Sequence, residues 1–222
     1  MKTRTLSGLI AAIATSSAFA AGPDIQITEW MYNGADETGE YIEFTNMGSS
    51  AVDFAGWSFD DSSRAAGSVD LSAFGIVLPG QSVILTEAAA SAFRAAWSLD
   101  TSVKVIGGNT NNLGRGDEIN LYDASGSLVD RLTYGDNAIA GTVRAQNASG
   151  NPSVVADLVP STVTTGWVLA SAGDSFGSYA SSNGDIGNPG SFIYAPVPEP
   201  TTHALMLAGL AIVAAVARRR FN

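Results

Sequence analysis

The chain contains no cysteine, so disulfides, thiol nucleophiles and thiolate metal sites are excluded and stability must come from the core alone. Its single histidine, His203, lies in the C-terminal tail just before an apolar run, which removes a Ser-His-Asp triad and an imidazole zinc site from everything before it. Cations are scarce too. Of eleven Lys and Arg, five lie at the two ends (Lys2, Arg4, Arg218, Arg219, Arg220), leaving six to face all but one of the 21 Asp and Glu. Such a balance repels phosphate backbones, and no run of Lys or Arg occurs before Arg218, which argues against nucleic acid as a partner.

The two ends have their own organisation. At the start, Lys2 and Arg4 precede an apolar run from Leu6 to Ala14 and then Ala18-Phe19-Ala20. This is the pattern of a secretory signal peptide over residues 1–20, with signal peptidase cutting between Ala20 and Ala21. The apolar run is too short for a membrane span.

At the end, Val197-Pro198-Glu199-Pro200 is followed by an apolar run from Ala204 to Ala217 and by Arg218-Arg219-Arg220. The two prolines fix φ and push their preceding residues towards extended backbone, which makes a stiff strip that an enzyme could read. As a helix, 201–217 would reach about 25 Å, slightly short of a hydrocarbon core of about 30 Å. The Arg cluster would remain cytoplasmic and act as a membrane stop, placing everything before Thr201 on the far side. This single transmembrane helix is the expected anchor.

The order Pro-Glu-Pro, short span, Arg cluster resembles the PEP-CTERM sorting signal of Gram-negative bacteria. The resemblance implies that an exosortase, a membrane-embedded cysteine transpeptidase, recognises and removes residues 197–222, and that the protein goes to the cell surface or the extracellular matrix, the setting of a biofilm.

Between the ends lie roughly 178 residues, the length of one ordinary domain. Twenty-four glycines punctuate short runs rich in Ile, Val, Leu and aromatics, which predicts an all-β fold of many short strands. Asp24–Trp30 alternates with Ile25 and Ile27 on one face until Glu29 falls where an apolar residue is due; either a bulge intervenes or Glu29 points inward and needs a partner. Glu40–Asn46 puts Ile42 and Phe44 on one face and Tyr41, Glu43 and Thr45 on the other, a half-buried strand.

Further strands are expected over 52–60, 82–86, 103–106, 117–122, 128–134, 154–158 and 167–169, with a short apolar patch at 69–71 and Phe74 and a hairpin at 123–127 around Gly126. The stretch 88–97 reads as a short helical connector that brings Phe93 and Trp97 onto one face. Residues 171–190 read as a flexible Gly/Ser-rich segment and 188–197 as a linker to the tail.

Candidate chemistry is thin. Glu40 and Glu43 are three apart on a strand and face opposite sides, so they cannot pair with each other as the carboxylates of a glycosidase. Glu29 and Glu43 could meet across neighbouring strands, where a shared hydrogen-bonding role in the fold is favoured over catalysis. Asp60-Asp61 and Asp117-Glu118 could give oxygen ligands to calcium, yet no Asp-x-Asp-x-Asp-Gly loop is present. Asn147-Ala148-Ser149 matches a glycosylation sequon. Trp57 and Trp97 read as core, which leaves Trp30 and Trp167 as candidate contacts for a sugar ligand.

Four blocks carry a second resemblance: IQITEWMYN, GEYIEFTNMGSSAVDFAGWSFDD, LPGQSVILT and LGRGDEINLYDASGSLVDRLTYGD. Their order resembles the lamin-tail domain over Ile25 to Asp136. The matching residues include Glu29, Glu40, Glu43, Asn46, Gly56, Trp57, Gly80, Asp117, Asp130 and Tyr134, and they look like fold determinants. The resemblance implies a compact immunoglobulin-like antiparallel β-sandwich over 21–136, with 137–196 as its extension and linker.

The expected function is that of a non-enzymatic exported surface or matrix protein with a structural or adhesive lamin-tail domain and no cofactor. An exopolysaccharide-binding module is the alternative reading, and a secreted hydrolase using carboxylates is the third.

Overall fold

The computed structural model describes residues 25–193. The expected signal peptide with its Ala20–Ala21 junction, the Val197–Pro200 strip, the expected transmembrane helix and Arg218, Arg219 and Arg220 all lie outside the described residues. Among the described residues no helix is long and apolar enough to cross a membrane.

The domain is built from short strands and one short α-helix. In chain order the strands are β1 (Ile25–Met31), β2 (Tyr41–Asn46), β3 (Val52–Asp53), β4 (Ser58–Asp60), β5 (Val69–Asp70), β6 (Ile76–Val77) and β7 (Ser82–Thr86). The helix α1 (Ala90–Ala96) follows, then β8 (Lys104–Ile106), β9 (Gly116–Tyr122), β10 (Leu128–Gly135), β11 (Gly150–Asn151), β12 (Thr162–Val163), β13 (Val168–Leu169), β14 (Tyr179–Ala180) and β15 (Ile186–Gly187).

Two sheets dominate. One runs β13-β11-β1-β2-β7-β8 and the other β12-β10-β9-β4-β5. Ile27, Ile42, Phe44, Val83 and Leu85 from the first meet Phe59, Ile119, Leu121 and Leu132 from the second in one buried cluster, the arrangement of a β-sandwich. Burying each such side chain contributes about 1.5–3 kcal/mol relative to leaving it in water. Trp57, expected in the core, is only partly buried and stacks on Phe54 with ring centroids 4.6 Å apart.

The sandwich is not purely antiparallel. β8 runs parallel to β7 because α1 carries the chain across between them, and β12 runs parallel to β10. Both parallel pairs are at sheet edges. The expected strand over 52–60 is split by the Phe54–Trp57 turn, and 154–158 holds a single 3₁₀ turn at Val155–Asp157 instead of a strand. The hairpin between β9 and β10 closes as expected, with Gly126 at φ 78° and the Asp123 amide donating to the Ser127 carbonyl at 3.0 Å.

The larger correction concerns the outer face of the six-stranded sheet. β2 is buried along its whole length and is not half-exposed. α1 covers one part of that face through Phe93, Ala96 and Trp97, which pack on Met31, Tyr41 and Ile84. Residues 186–192 cover another. They are a strap, part of the folded domain, where a linker was expected.

A carboxylate pair under a C-terminal strap

The bulge in β1 builds the site. Ile27 is opposite Phe44, but the register then shifts by one residue, so that Glu29 is opposite Glu43 and Trp30 opposite Ile42. One extra residue reverses the alternation: Trp30 joins Ile27 in the core, and Glu29 moves to the outer face beside Glu43. Of the two alternatives left open for Glu29 the bulge holds: the carboxyl turns to the outer face and not into the core, and it is buried there with partners because the strap covers that face.

Both carboxyls are fully buried and held by donors from the strap. The Glu29 Oε1 accepts the Asn188 amide at 2.9 Å and the Ser149 hydroxyl. The Glu43 Oε2 accepts the Gly190 amide at 2.7 Å, while its Oε1 accepts the Thr28 hydroxyl at 2.7 Å. Thr45 extends this network to Ser82 at 2.7 Å. The Tyr41 hydroxyl lies close enough to Glu29 to favour its charged form, though short of full hydrogen-bond geometry.

Burial away from water, followed by the neighbouring Glu43 charge, raises the Glu29 pKa to about 8. Burial raises Glu43 as well, opposed by its donors. Both shifts disfavour ionisation, so the two carboxyls titrate as a pair that holds protons more tightly than free glutamates do. Two adjacent carboxyls of raised proton affinity are the raw material of acid–base chemistry. Here strap and helix lie between them and solvent; Glu29 Oε1 and Glu43 Oε2 hold the strap, Glu43 Oε1 is taken by Thr28 and Thr45, and Glu29 Oε2 has no hydrogen-bond partner.

The strap follows the sheet crosswise. Ile186 bridges to Ala148 at the edge of β11, Gly187 passes over Tyr41, Asn188 binds β1, Gly190 binds β2, and Ser191 and Phe192 lie against Gly80–Ser82 and Ser102–Val103. Gly187 is needed for the close approach: a Cβ there would be 2.4 Å from the Tyr41 hydroxyl. Tyr179 on β14 seals the side, its hydroxyl donating to the Trp97 carbonyl at 2.8 Å.

The other sequence candidates fall elsewhere. Trp30 is 0 % and Trp167 3 % exposed, with ring centroids 5.3 Å apart in an edge-on contact inside the core. Neither can contact a sugar, because the β1 bulge turns Trp30 inward and Trp167 packs on it. Asp60 accepts from Ser63, Ala65 and Asn111, Asp117 from Gly114 and Glu118, and Glu118 forms a two-pronged ion pair with Arg64. Those acids tie loops together, and among the described residues no group of three or more acidic or histidine side chains is arranged to hold a metal ion. Ser149 of the sequon is fully buried on Glu29. Sequence reasoning missed Asn188 and Gly190 because they act through backbone amides; the Gly-Asn-Pro-Gly run was the only signal.

The lamin tail domain family model matches residues 18–136, more than half of the chain. The chain belongs to the lamin tail domain family. Its family match ends after β10, so β11 to β15 and the strap are additions to the lamin tail core, and they supply two of the donors that hold the Glu29–Glu43 pair. Residues 196–220 match the PEP-CTERM protein-sorting motif, so this lamin tail domain is joined to a signal for export and sorting to the cell envelope. Comparison with curated proteins gives no match.

Proposed function

We propose that the chain is a non-enzymatic surface or extracellular-matrix protein. An N-terminal signal exports it, the span after Pro200 holds the precursor in the inner membrane, and an exosortase acting at Val197–Pro200 releases it to the exterior. The lamin tail sandwich is the structural or adhesive module that remains.

The observation that carries this reading is the direct succession of a sealed sandwich and a sorting motif: the strap ends at Phe192 and the motif begins at residue 196. The non-enzymatic part is supported by the site itself. Its two converging carboxyls are fully buried, each with one oxygen bound to the strap that covers them, so a substrate would have to displace the strap to reach them. Aromatic sugar binding loses its candidates, since Trp30 and Trp167 are core.

Fractionation of the native host tests the reading. The protein should be in the surface or matrix fraction, and deleting the cognate exosortase should shift it to the inner membrane. An unchanged surface fraction in the deletion strain would overturn the sorting claim.

A further inference from the structure

The strap is held by polar contacts. Neither buried apolar cluster of the domain includes a residue of 186–192, so both clusters persist without it. Its ties are the Asn188 amide on the Glu29 Oε1 at 2.9 Å and the Gly190 amide on the Glu43 Oε2 at 2.7 Å, with the Ile186 amide on the Asn147 carbonyl at 3.0 Å and the Ser149 amide on the Ile186 carbonyl at 2.9 Å. The first two end on the carboxyl pair, and that pair has no cation to neutralise it. Among the described residues neither Glu29 nor Glu43 is in an ion pair. Arg94 of α1 donates to the Val103 carbonyl at 2.9 Å and the Lys104 ammonium of β8 to the Phe74 carbonyl at 2.9 Å.

The other titratable groups that face the pair are Tyr41 from β2 and Tyr179 from β14; burial pushes both hydroxyls up, Tyr179 to about 12, so they stay neutral. Asp185, just before the strap, is taken by the Ala35 amide at 2.9 Å. The Glu29 Oε2 has no hydrogen-bond partner, so an ionised Glu29 has a charged oxygen buried without a donor. We propose that the strap is a pH-operated latch: loss of a proton from the Glu29–Glu43 pair lifts residues 186–192 off the six-stranded sheet while the sandwich stays folded.

Under the closed strap the pair holds protons more tightly than free glutamates do, with Glu29 raised from 4.5 to about 8. With the strap lifted, water reaches both carboxyls and their proton affinity returns towards the ordinary range. Closure therefore takes up protons. Between the open and closed values each proton so held weakens closure about tenfold per pH unit as pH rises, and the dependence levels off above them. Opening of this kind is local, in a segment fixed by few contacts. It adds residues 186–192, up to about 25 Å of extended chain, to the stretch that joins the sandwich to the sorting motif. That gain in reach matters to an exosortase only on the reading proposed above; the latch itself does not depend on it.

Hydrogen–deuterium exchange of the full-length chain in detergent tests the latch, read by mass spectrometry on peptides covering 186–193 and, as reference, β9 and β10. With intrinsic rates divided out, the strap amides should be at least about tenfold less protected than the reference, and their protection should fall about tenfold per pH unit from pH 6 to pH 8. Glu29→Gln, which cannot ionise, should flatten that fall and leave the reference protected. Glu43→Gln makes the same test from the other strand should the first variant misfold. Strap and reference amides that exchange together at every pH overturn the proposal, because the strap then opens only with the whole domain. Strap protection that stays flat with pH in the unmodified chain overturns it as well, as does a fall of unchanged slope in the folded variants. None of these outcomes depends on how the tail is processed.

Discussion

Glu29 and Glu43 stand directly opposite each other on adjacent antiparallel strands, fully buried, and each is bound by a backbone amide of the same C-terminal strap. The stability of the domain is thereby tied to the protonation of a pair whose members are 14 residues apart in sequence, and to a segment about 145 to 160 residues further on.

The first consequence is a pH dependence. Burial raises Glu29 from 4.5 to about 8, Glu40 to about 7 and Asp130 from 3.8 to about 6, so between the unfolded and folded values the native state holds protons that the unfolded chain has lost. Stability is then full at the acidic end of that window and falls as pH rises through it, by about 1.4 kcal/mol per pH unit for each such proton. Urea denaturation between pH 4.5 and pH 8 should show the midpoint falling steadily. Glu29→Gln, which keeps a neutral side chain of the same shape, should flatten that slope and lose little stability at pH 8.

The Glu29→Ala change is of a different kind. It leaves the Ser149 hydroxyl and the Asn188 amide without their acceptor and opens a hole on a buried face. A loss of about 2–4 kcal/mol is expected. Comparison with Glu29→Gln in the same denaturation series separates lost shape from lost charge.

The strap should be integral to folding. A chain ending at Asp136, where the family match stops, lacks β11, β12 and β13 and uncovers Trp30 together with both carboxyls. It should give no cooperative thermal transition, whereas a chain ending at Ile193 should melt as the full domain does. Within the strap, Gly187→Val should lower stability by about 1–3 kcal/mol, since its Cβ would collide with the Tyr41 hydroxyl.

Gly150 tests the packing of the buried tryptophans. A Cβ there would fall 2.2 Å from the Trp30 ring, and the ring is held on its other sides by Tyr134 and Trp167. Gly150→Ala should therefore cost about 1–3 kcal/mol and disturb near-ultraviolet circular dichroism. Were Trp30 exposed, the change would be silent.

Much of this was legible in the sequence because it rests on side-chain periodicity. Ile42 and Phe44, Val83 and Leu85, the β9–β10 hairpin and the Phe93–Trp97 face all follow from alternation or helical spacing, and all are where that spacing puts them. The Glu29 anomaly also marks the place of the bulge, as one of two alternatives that the alternation leaves open. What the alternation does not give is the direction of the consequence: a single inserted residue sends Trp30 inward, whereas uninterrupted alternation leaves it as a free aromatic face. The strap was illegible for another reason. Ser, Gly and Asn contribute little hydrophobic signal, and residues 186–190 bind through backbone amides, which every sequence has, so a packed segment looks like a flexible one.

The account as a whole stands on the union of this domain with its tail, and the intact mass of protein recovered from the native surface or matrix tests it most directly. The predicted mature chain begins at Ala21 and ends before Thr201, and a Glu199→Ala variant or an exosortase-deficient strain yields the longer form that still carries 201–222. Protein from the unmodified host that retains Thr201 to Asn222 would contradict the account and leave a permanently anchored membrane protein.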